Sequence, residues 1–383
     1  MRKWIEFNKP YFTGKETDYI RQAVEANKIS GNGIFTKKCH EFFQKRYSFP
    51  TPFLTTSCTD ALEMCAILLN IQPEDEVIIP SFTFVSTANA FVLRGARIVF
   101  VDSESATPNL DADQLEGLIS PKTKVIVAVH YAGISCDMDK IQLIARNRQL
   151  SIVEDAAQAI DSYYKGRPLG SFGDLAAFSF HESKNIISGE GGMLVVNNKE
   201  LAPRAEIIWE KGTNRAAYFR GEVDKYTWLD IGSSFLPSDA IAAILLAQLE
   251  QLEIIQNKRK FIWNMYYNGL LSLQEKGLLQ LPVIPEYATN NAHMFYILCS
   301  DLGVRTKLMN HLRNKNIGAV FHYLPLHKSP FYRARYEGQE LPNCDRYSDC
   351  LLRLPMYYEL TATQVQRVVD TIKQFYLESA ATK

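Results

Sequence analysis

The chain has 383 residues, 46% hydrophobic and 22% charged, enough for two domains and a large core without disulfide staples. Its 42 basic and 42 acidic side chains cancel, which argues against nucleic acid or an anionic membrane surface as a partner; an anionic substrate would need a local cluster of cations. Cys39, Cys58, Cys65, Cys136, Cys299, Cys344 and Cys350 are an odd set without metal-ligand spacing, so no metal site is expected and the thiols read as reduced, in a cytoplasmic protein.

The N-terminal Met1-Arg2-Lys3-Trp4-Ile5-Glu6 lacks the apolar stretch of a signal peptide. The most apolar helical stretch, 240–249, falls short of the roughly 20 residues that span a bilayer. Between residues 50 and 200 short apolar runs alternate with helical stretches. Val77-Ile78-Ile79-Pro80 reads as a buried strand and 83–93 as the helix after it. Strands are predicted at 97–102, 125–130 and 150–153, with helices at 111–119 and 138–148. Continuous Val/Ile runs suit strands covered on both faces, hence an α/β fold with a mostly parallel central sheet and flanking helices. Ser81, Asp102, His130 and Asp155 fall at strand ends, where open α/β sheets place ligands. Met193-Leu194-Val195-Val196-Asn197 closes the strand series. Residues 211–228 are polar and aromatic with no clean period, and read as a long functional loop.

Residues 240–257 read as one helix, and the stretch on to 273 as another. From residue 279 a smaller α+β unit is expected, with strands at 293–298 and 318–322. Its helices are placed at 304–314 and 363–377, the second started by Thr361 or Thr363. The predicted division is a large domain over 1–255 and a small C-terminal α+β domain over 256–383.

The chemistry centres on two segments. The run Leu150-Ser151-Ile152-Val153 ends in Glu154-Asp155-Ala156-Ala157-Gln158, and Ser179-Phe180-His181-Glu182-Ser183-Lys184-Asn185 precedes the turn Gly189-Glu190-Gly191-Gly192. An acid ending a buried strand, followed by a lysine in a polar, glycine-flanked loop, is what a pyridoxal phosphate (PLP) site requires. Alone, Lys184 is an ordinary surface lysine and Asp155 a cap or an ion-pair partner. A buried acid, however, needs a cation, and a protonated pyridine nitrogen would serve. Gln158, close behind Asp155, can then reach a ring hydroxyl. Thr55-Thr56-Ser57-Cys58-Thr59-Asp60 before an apolar helical run is an ordinary N-cap by itself, yet its free N–H groups also suit a phosphate. Phe84 has two readings, stacking on the pyridine face or core packing. His181 reads as a site-lining residue, since the histidines lack metal-ligand spacing. No GxGxxG follows a strand, which disfavours a nicotinamide enzyme such as an NAD-dependent epimerase.

Longer motifs add a resemblance over nearly the whole chain. Ile29-Ser30-Gly31-Asn32-Gly33, Pro80-Ser81-Phe82-Thr83-Phe84-Val85-Ser86-Thr87-Ala88-Asn89-Ala90, Val129-His130-Tyr131-Ala132-Gly133 and Val153-Glu154-Asp155-Ala156-Ala157-Gln158 are four of its segments. Glu210-Lys211-Gly212-Thr213-Asn214-Arg215, Asp224-Lys225-Tyr226-Thr227-Trp228, Asn291-Ala292-His293-Met294-Phe295-Tyr296 and His322-Tyr323-Leu324-Pro325-Leu326-His327 extend it. The chain resembles the DegT/DnrJ/EryC1/StrS sugar aminotransferases, which are fold-type I PLP-dependent transferases. Within them it looks most like the dTDP-4-amino-4,6-dideoxygalactose transaminases of surface-polysaccharide synthesis.

That resemblance implies Lys184 as the Schiff-base lysine, Asp155 on the pyridine nitrogen, Gln158 on the ring hydroxyl and Phe84 on the ring face. Ser179, Thr59 and the backbone of Asp60 would hold the phosphate. It implies dTDP-4-dehydro-6-deoxy-D-glucose and L-glutamate as substrates, and a homodimer with active sites at the interface. Ser234 stands where many relatives have Asn in a Gly-x-Asn-x-Arg-Met segment, and would make the cross-subunit phosphate contact. Lysine at 184, where the dehydrating relatives carry histidine, favours transamination. His181, Lys211, Asn214, Arg215, Arg220, Lys225, His322 and His327 are the candidate substrate-binding residues. The alternatives are a 3-amino or gluco-configured 4-amino nucleotide-sugar transaminase, or a non-catalytic nucleotide-sugar-binding protein of the same fold; intact Lys184, Asp155 and Gln158 argue against the last.

Overall fold

The computed structural model describes residues 3–381. Its strands are β1 (Pro52–Thr55), β2 (Glu76–Pro80), β3 (Arg97–Val101), β4 (Thr123–Val129), β5 (Ser151–Asp155), β6 (Tyr163–Tyr164), β7 (Arg167–Pro168), β8 (Leu175–Ser179), β9 (Gly192–Val196), β10 (Phe295–Leu298) and β11 (Leu351–Leu354). Seven of these build the central sheet in the order β1-β9-β8-β5-β4-β2-β3. The pairs from β8 across to β3 are parallel, and β9 runs antiparallel to both its neighbours.

Every residue of β2, β8 and β9 is buried, as continuous apolar runs require when both faces of a sheet are covered. Alternate side chains feed two cores. Val77, Ile79, Val125 and Val127 pack with α3 (Cys58–Leu68) and α4 (Val85–Val92), while Ile78, Ile126 and Ala128 share the other core with α1 (Glu16–Glu25), α2 (Ile34–Tyr47) and the helix Met138–Arg148. A third core joins the helix Leu252–Glu275 to β10, β11 and the helices Leu302–Asn314 and Ala362–Ala381, and Ile5 inserts into it. Tyr296, Leu298 and Tyr347 from this C-terminal part also reach the first core, which docks it against the sheet.

The predicted strands at 97–102, 125–130 and 150–153 and the helix at 138–148 appear at those places, as does the C-terminal helix. Thr361 and Gln364 close a reciprocal capping box at its start: Gln364 N donates to Thr361 Oγ1 at 3.2 Å and Thr361 N to Gln364 Oε1 at 2.9 Å. Three expectations need correction. The helical break comes at residues 250–251, separating Asp239–Leu249 from Leu252–Glu275. The 211–228 loop contains a short helix, Arg215–Phe219. Residues 318–322 form no strand beyond an isolated bridge between Val320 and Arg353, because β10 pairs with β11 instead.

Candidate active site

A cavity of about 660 Å³ opens where β5 and β8 end and α3 and α4 begin. Its floor is set by strand ends: Asp155 is the last residue of β5, and Ser179 the last of β8. Asp155 is 5% exposed. Thr87 Oγ1 donates to its Oδ2 at 2.7 Å and Ala157 N to its Oδ1 at 3.1 Å. Among the described residues no lysine, arginine or histidine nitrogen lies within 4.0 Å of that carboxylate. A buried acid with two donors and no cation is a site for a cation that arrives with a ligand.

Lys184 lies on the hairpin between β8 and β9. Hydrogen bonds from Glu182 N to Gly189 O (2.8 Å), Ser188 N to Phe180 O (2.7 Å) and Phe180 N to Gly191 O (2.8 Å) hold the hairpin shut. Gly189 takes φ +86°, a turn conformation that suits glycine. Burial pushes the Lys184 amine below the usual lysine range, against the opposite pull of Cys58 and Asp155. An amine so placed is nearer its neutral, nucleophilic form.

The phosphate end is built at α3. Ser57 caps the helix, its Oγ accepting from Asp60 N at 3.0 Å, while the carboxylate of Asp60 bonds Ser57 Oγ and Thr56 Oγ1. The backbone N–H of Asp60 is therefore committed to the cap. The N–H groups of Cys58 and Thr59 precede the first intrahelical bond, which Ala61 N makes to Ser57 O, and they are the donors left for an anion. Gly192 brings β9 against this turn; a Cβ there would sit 2.4 Å from Cys58 N and from the Ser57 carbonyl. Thr59 Oγ1 donates to Ser86 Oγ at 2.8 Å, and both residues line the cavity with Ser179.

Phe84 is exposed at the N-cap of α4 and faces the cavity, so it is not core packing. Gln158 also lines it, with Oε1 accepting from Ala132 N (2.6 Å) and Nε2 donating to Tyr323 OH (2.9 Å). His181 sits at the rim, where its Nδ1 shares a hydrogen bond with Ser183. His322 lines the wall, stacked on Tyr323 at 3.6 Å and hydrogen-bonded to Tyr131; burial, then the Arg353 and Lys184 charges, depress its pKa well below the usual histidine value.

The remaining candidates lie outside this cavity. Arg215 pairs with Glu210 at 3.4 Å, Arg220 is held between Glu206 and Glu222, and Asn214 Oδ1 accepts from Thr227 N. His327 is tied to Ser81 at 2.7 Å. Lys211, Lys225 and Ser234 do not line the cavity either, although Phe235, next to Ser234, accepts from Thr56 N beside the α3 start.

Sequence reading missed Thr87, Asn185, His293 and Arg353. Asn185 anchors the lysine loop: its Nδ2 donates to Gln256 Oε1 and Asn291 O, both at 2.8 Å, and its Oδ1 meets His293 Nδ1 at 2.9 Å. Its place beside Lys184 was the available signal. Among the described residues no group of three or more metal-ligating side chains gathers, and no helix is long and apolar enough to cross a membrane.

The residues present fit PLP. Asp155 offers a charge for a ring nitrogen, Lys184 an amine for the aldehyde, and the α3 turn with Thr59 and Ser179 a cradle for the phosphate. Comparison with known proteins agrees. The model of the DegT/DnrJ/EryC1/StrS aminotransferase family matches residues 10–373. The chain is 32% identical over 378 residues to GDP-perosamine synthase of Escherichia coli O157:H7, covering 98% of this chain and 99% of that protein. The aminotransferase TlmJ from Streptoalloteichus hindustanus superposes with a TM-score of 0.90 at 29% identity, over 99% of this chain and 100% of that one. Spr1654 from Streptococcus pneumoniae, described as a sugar aminotransferase and solved in its PLP form, gives 0.90 at 25% identity over 98% and 99%.

Proposed function

Because the chain belongs to the DegT/DnrJ/EryC1/StrS aminotransferase family and is a PLP-dependent sugar aminotransferase of fold type I, we propose that it moves an amino group from L-glutamate to C4 of dTDP-4-dehydro-6-deoxy-D-glucose. The product would be dTDP-4-amino-4,6-dideoxy-D-galactose, for surface-polysaccharide synthesis. One observation carries the chemistry: a buried carboxylate without a cation and a half-buried lysine share one cavity. The choice of sugar rests on the long motifs from 80–90, 210–215 and 224–228 that resemble that branch. The GDP-linked product in the name of the E. coli relative supports a nucleotide-linked substrate.

PLP, when bound, supplies the carbon that exchanges amines and a ring that withdraws electrons from the carbon losing its proton. Asp155 keeps positive charge on the ring nitrogen, and Thr87 and Ala157 N hold the carboxylate for that task. Thr59, Ser179 and the first turn of α3 hold the phosphate, while Phe84 covers a ring face and Gln158 approaches the ring hydroxyl. Lys184 Nζ gives way to the donor amine. It would then take the proton from the donor α-carbon and deliver it to the cofactor carbon on the far side of the shared nitrogen, and the same transfer would run in reverse on the keto sugar.

In this reading the protein works as a homodimer. Phe219, Tyr226, Trp228 and Leu229 leave large apolar surfaces exposed on the segment 211–231, as a surface covered by a second copy would. Ser234 and the cations of that segment, outside their own cavity, then serve the partner's. Apart from Ile5, the third core is drawn from residues 262–376, which supports a C-terminal unit within 256–383 joined to 1–255 through the helix Leu252–Glu275. Seven free thiols, six of them buried, suit a cytoplasmic protein.

Product NMR after incubation with L-glutamate and the dTDP keto sugar tests the assignment. The expected spectrum shows nitrogen at C4 with a small H3–H4 coupling, from an axial amine. Nitrogen at C3, or a large coupling, would reject the position or the configuration.

A further inference from the structure

We propose that Arg353 is the carboxylate anchor of the amino-donor site. Its backbone is pinned on both sides, paired with Tyr296 in the β10–β11 ladder and exchanging bonds of 2.8 and 3.1 Å with Val320. The side chain is held as firmly. Nε and Nη2 donate to Phe321 O at 3.3 and 3.1 Å, and the guanidinium lies over the Phe7 ring at 4.8 Å. One carbonyl takes two of the five N–H donors, so three remain, and the edge formed by Nη1 and Nη2 stays available for two parallel bonds to a carboxylate.

This cation lines the cavity that holds Lys184, and among the described residues no carboxylate lies within 4.0 Å of it. The acids on the cavity wall are Asp155, bonded to Thr87 and Ala157, and Glu190, which is turned largely to solvent near His181. A partly buried guanidinium without an acid calls for an anionic ligand. The phosphate has its own donors at α3 and Ser179, and none of them bonds Arg353. An amino donor carries its carboxylate one bond from the carbon whose proton passes to Lys184. A nucleotide sugar carries its diphosphate at C1, across the ring from C4. Arg353 is close enough to Lys184 to weaken the amine's hold on a proton, which favours the donor's carboxylate.

The inference deepens the transaminase reading and rests on it for the donor. The test compares the wild type with Arg353→Gln and Arg353→Lys in the PLP-loaded enzyme. It measures glutamate dependence of 2-oxoglutarate release, keto-sugar dependence of the second half-reaction, PLP retention, and calorimetric binding of glutarate, a dicarboxylate with no amine. Arg353→Gln should raise the half-saturating glutamate concentration and weaken glutarate binding roughly 10–100-fold, the loss of a charge-assisted hydrogen bond. Arg353→Lys should recover part of both, with PLP retention and sugar dependence unchanged. Unaltered glutamate and glutarate affinities overturn the proposal. So does a loss confined to the keto sugar, which would assign the cation to a sugar carboxylate or diphosphate, or a loss confined to PLP retention, which would assign it to the phosphate. A wild type that releases no 2-oxoglutarate yet binds glutarate through Arg353 sinks the donor reading and leaves the carboxylate site standing.

Discussion

Asp155 and Lys184 are an acid and an amine in one cavity that make no ion pair with each other within 4.0 Å. Each is poised for a third group. Asp155→Asn keeps the shape and removes the charge; its Oδ1 can still accept from Ala157 N, while its Nδ2 donates to a Thr87 hydroxyl turned to accept. It should lower kcat at least roughly 100-fold, the scale of removing one preorganised electrostatic contact, while thermal stability of the PLP-free protein stays the same or rises. Steady-state kinetics and a melting curve check this; full activity in the variant would remove Asp155 from the chemistry. These two residues were legible in the sequence because a strand end and a glycine-bounded loop mark them locally. Arg353 was not, since no motif marks Leu352-Arg353-Leu354 and only the fold brings residue 353 to residue 184. Thr87 was hidden for the same reason, lying 68 positions from the carboxylate it serves.

Among elements, the edge strand β1 and helix α2 are joined by a side chain that titrates. Leu54 N donates to His40 Nε2 at 3.0 Å, so the bond needs a neutral ring. Burial lowers the His40 pKa to about 4, below the value of about 6.5 expected in the unfolded chain. The unfolded state therefore binds more protons between those values. His40's contribution is complete above about pH 6.5 and is lost as the pH falls toward 4. Between pH 7 and 4.5 the wild type should lose about 2–3 kcal/mol more stability than His40→Gln. Urea denaturation at both pH values measures the difference, and equal losses would reject the linkage. The central strands with long Val/Ile runs were readable by pattern. β1 and β8 were not, because Pro52–Thr55 and Leu175–Ser179 lack such runs. Residues 318–322 carried a strand-like run, but there the chain turns to present His322 and Tyr323 to the cavity.

At the scale of the whole molecule, the aromatic surface of 211–231, with Trp228 79% exposed, is left uncovered by the described residues. Sedimentation should give twice the 43.6 kDa of a single chain. Replacing Trp228 and Phe219 by serine should shift the protein toward monomer and lower transamination together; a fully active monomer would contradict a shared site. The α/β architecture and its C-terminal unit could be read from the order of apolar runs. How that unit docks could not, because Tyr296, Leu298 and Tyr347 reach the sheet core through long-range packing. The central claim is that this cavity transfers nitrogen through Lys184. The most direct measurement incubates PLP-loaded wild type and Lys184→Ala with ¹⁵N-glutamate and the dTDP keto sugar, and follows ¹⁵N into the nucleotide sugar by mass spectrometry. Wild type should label the sugar and Lys184→Ala should not; label transferred equally by both, or by neither, would contradict the account.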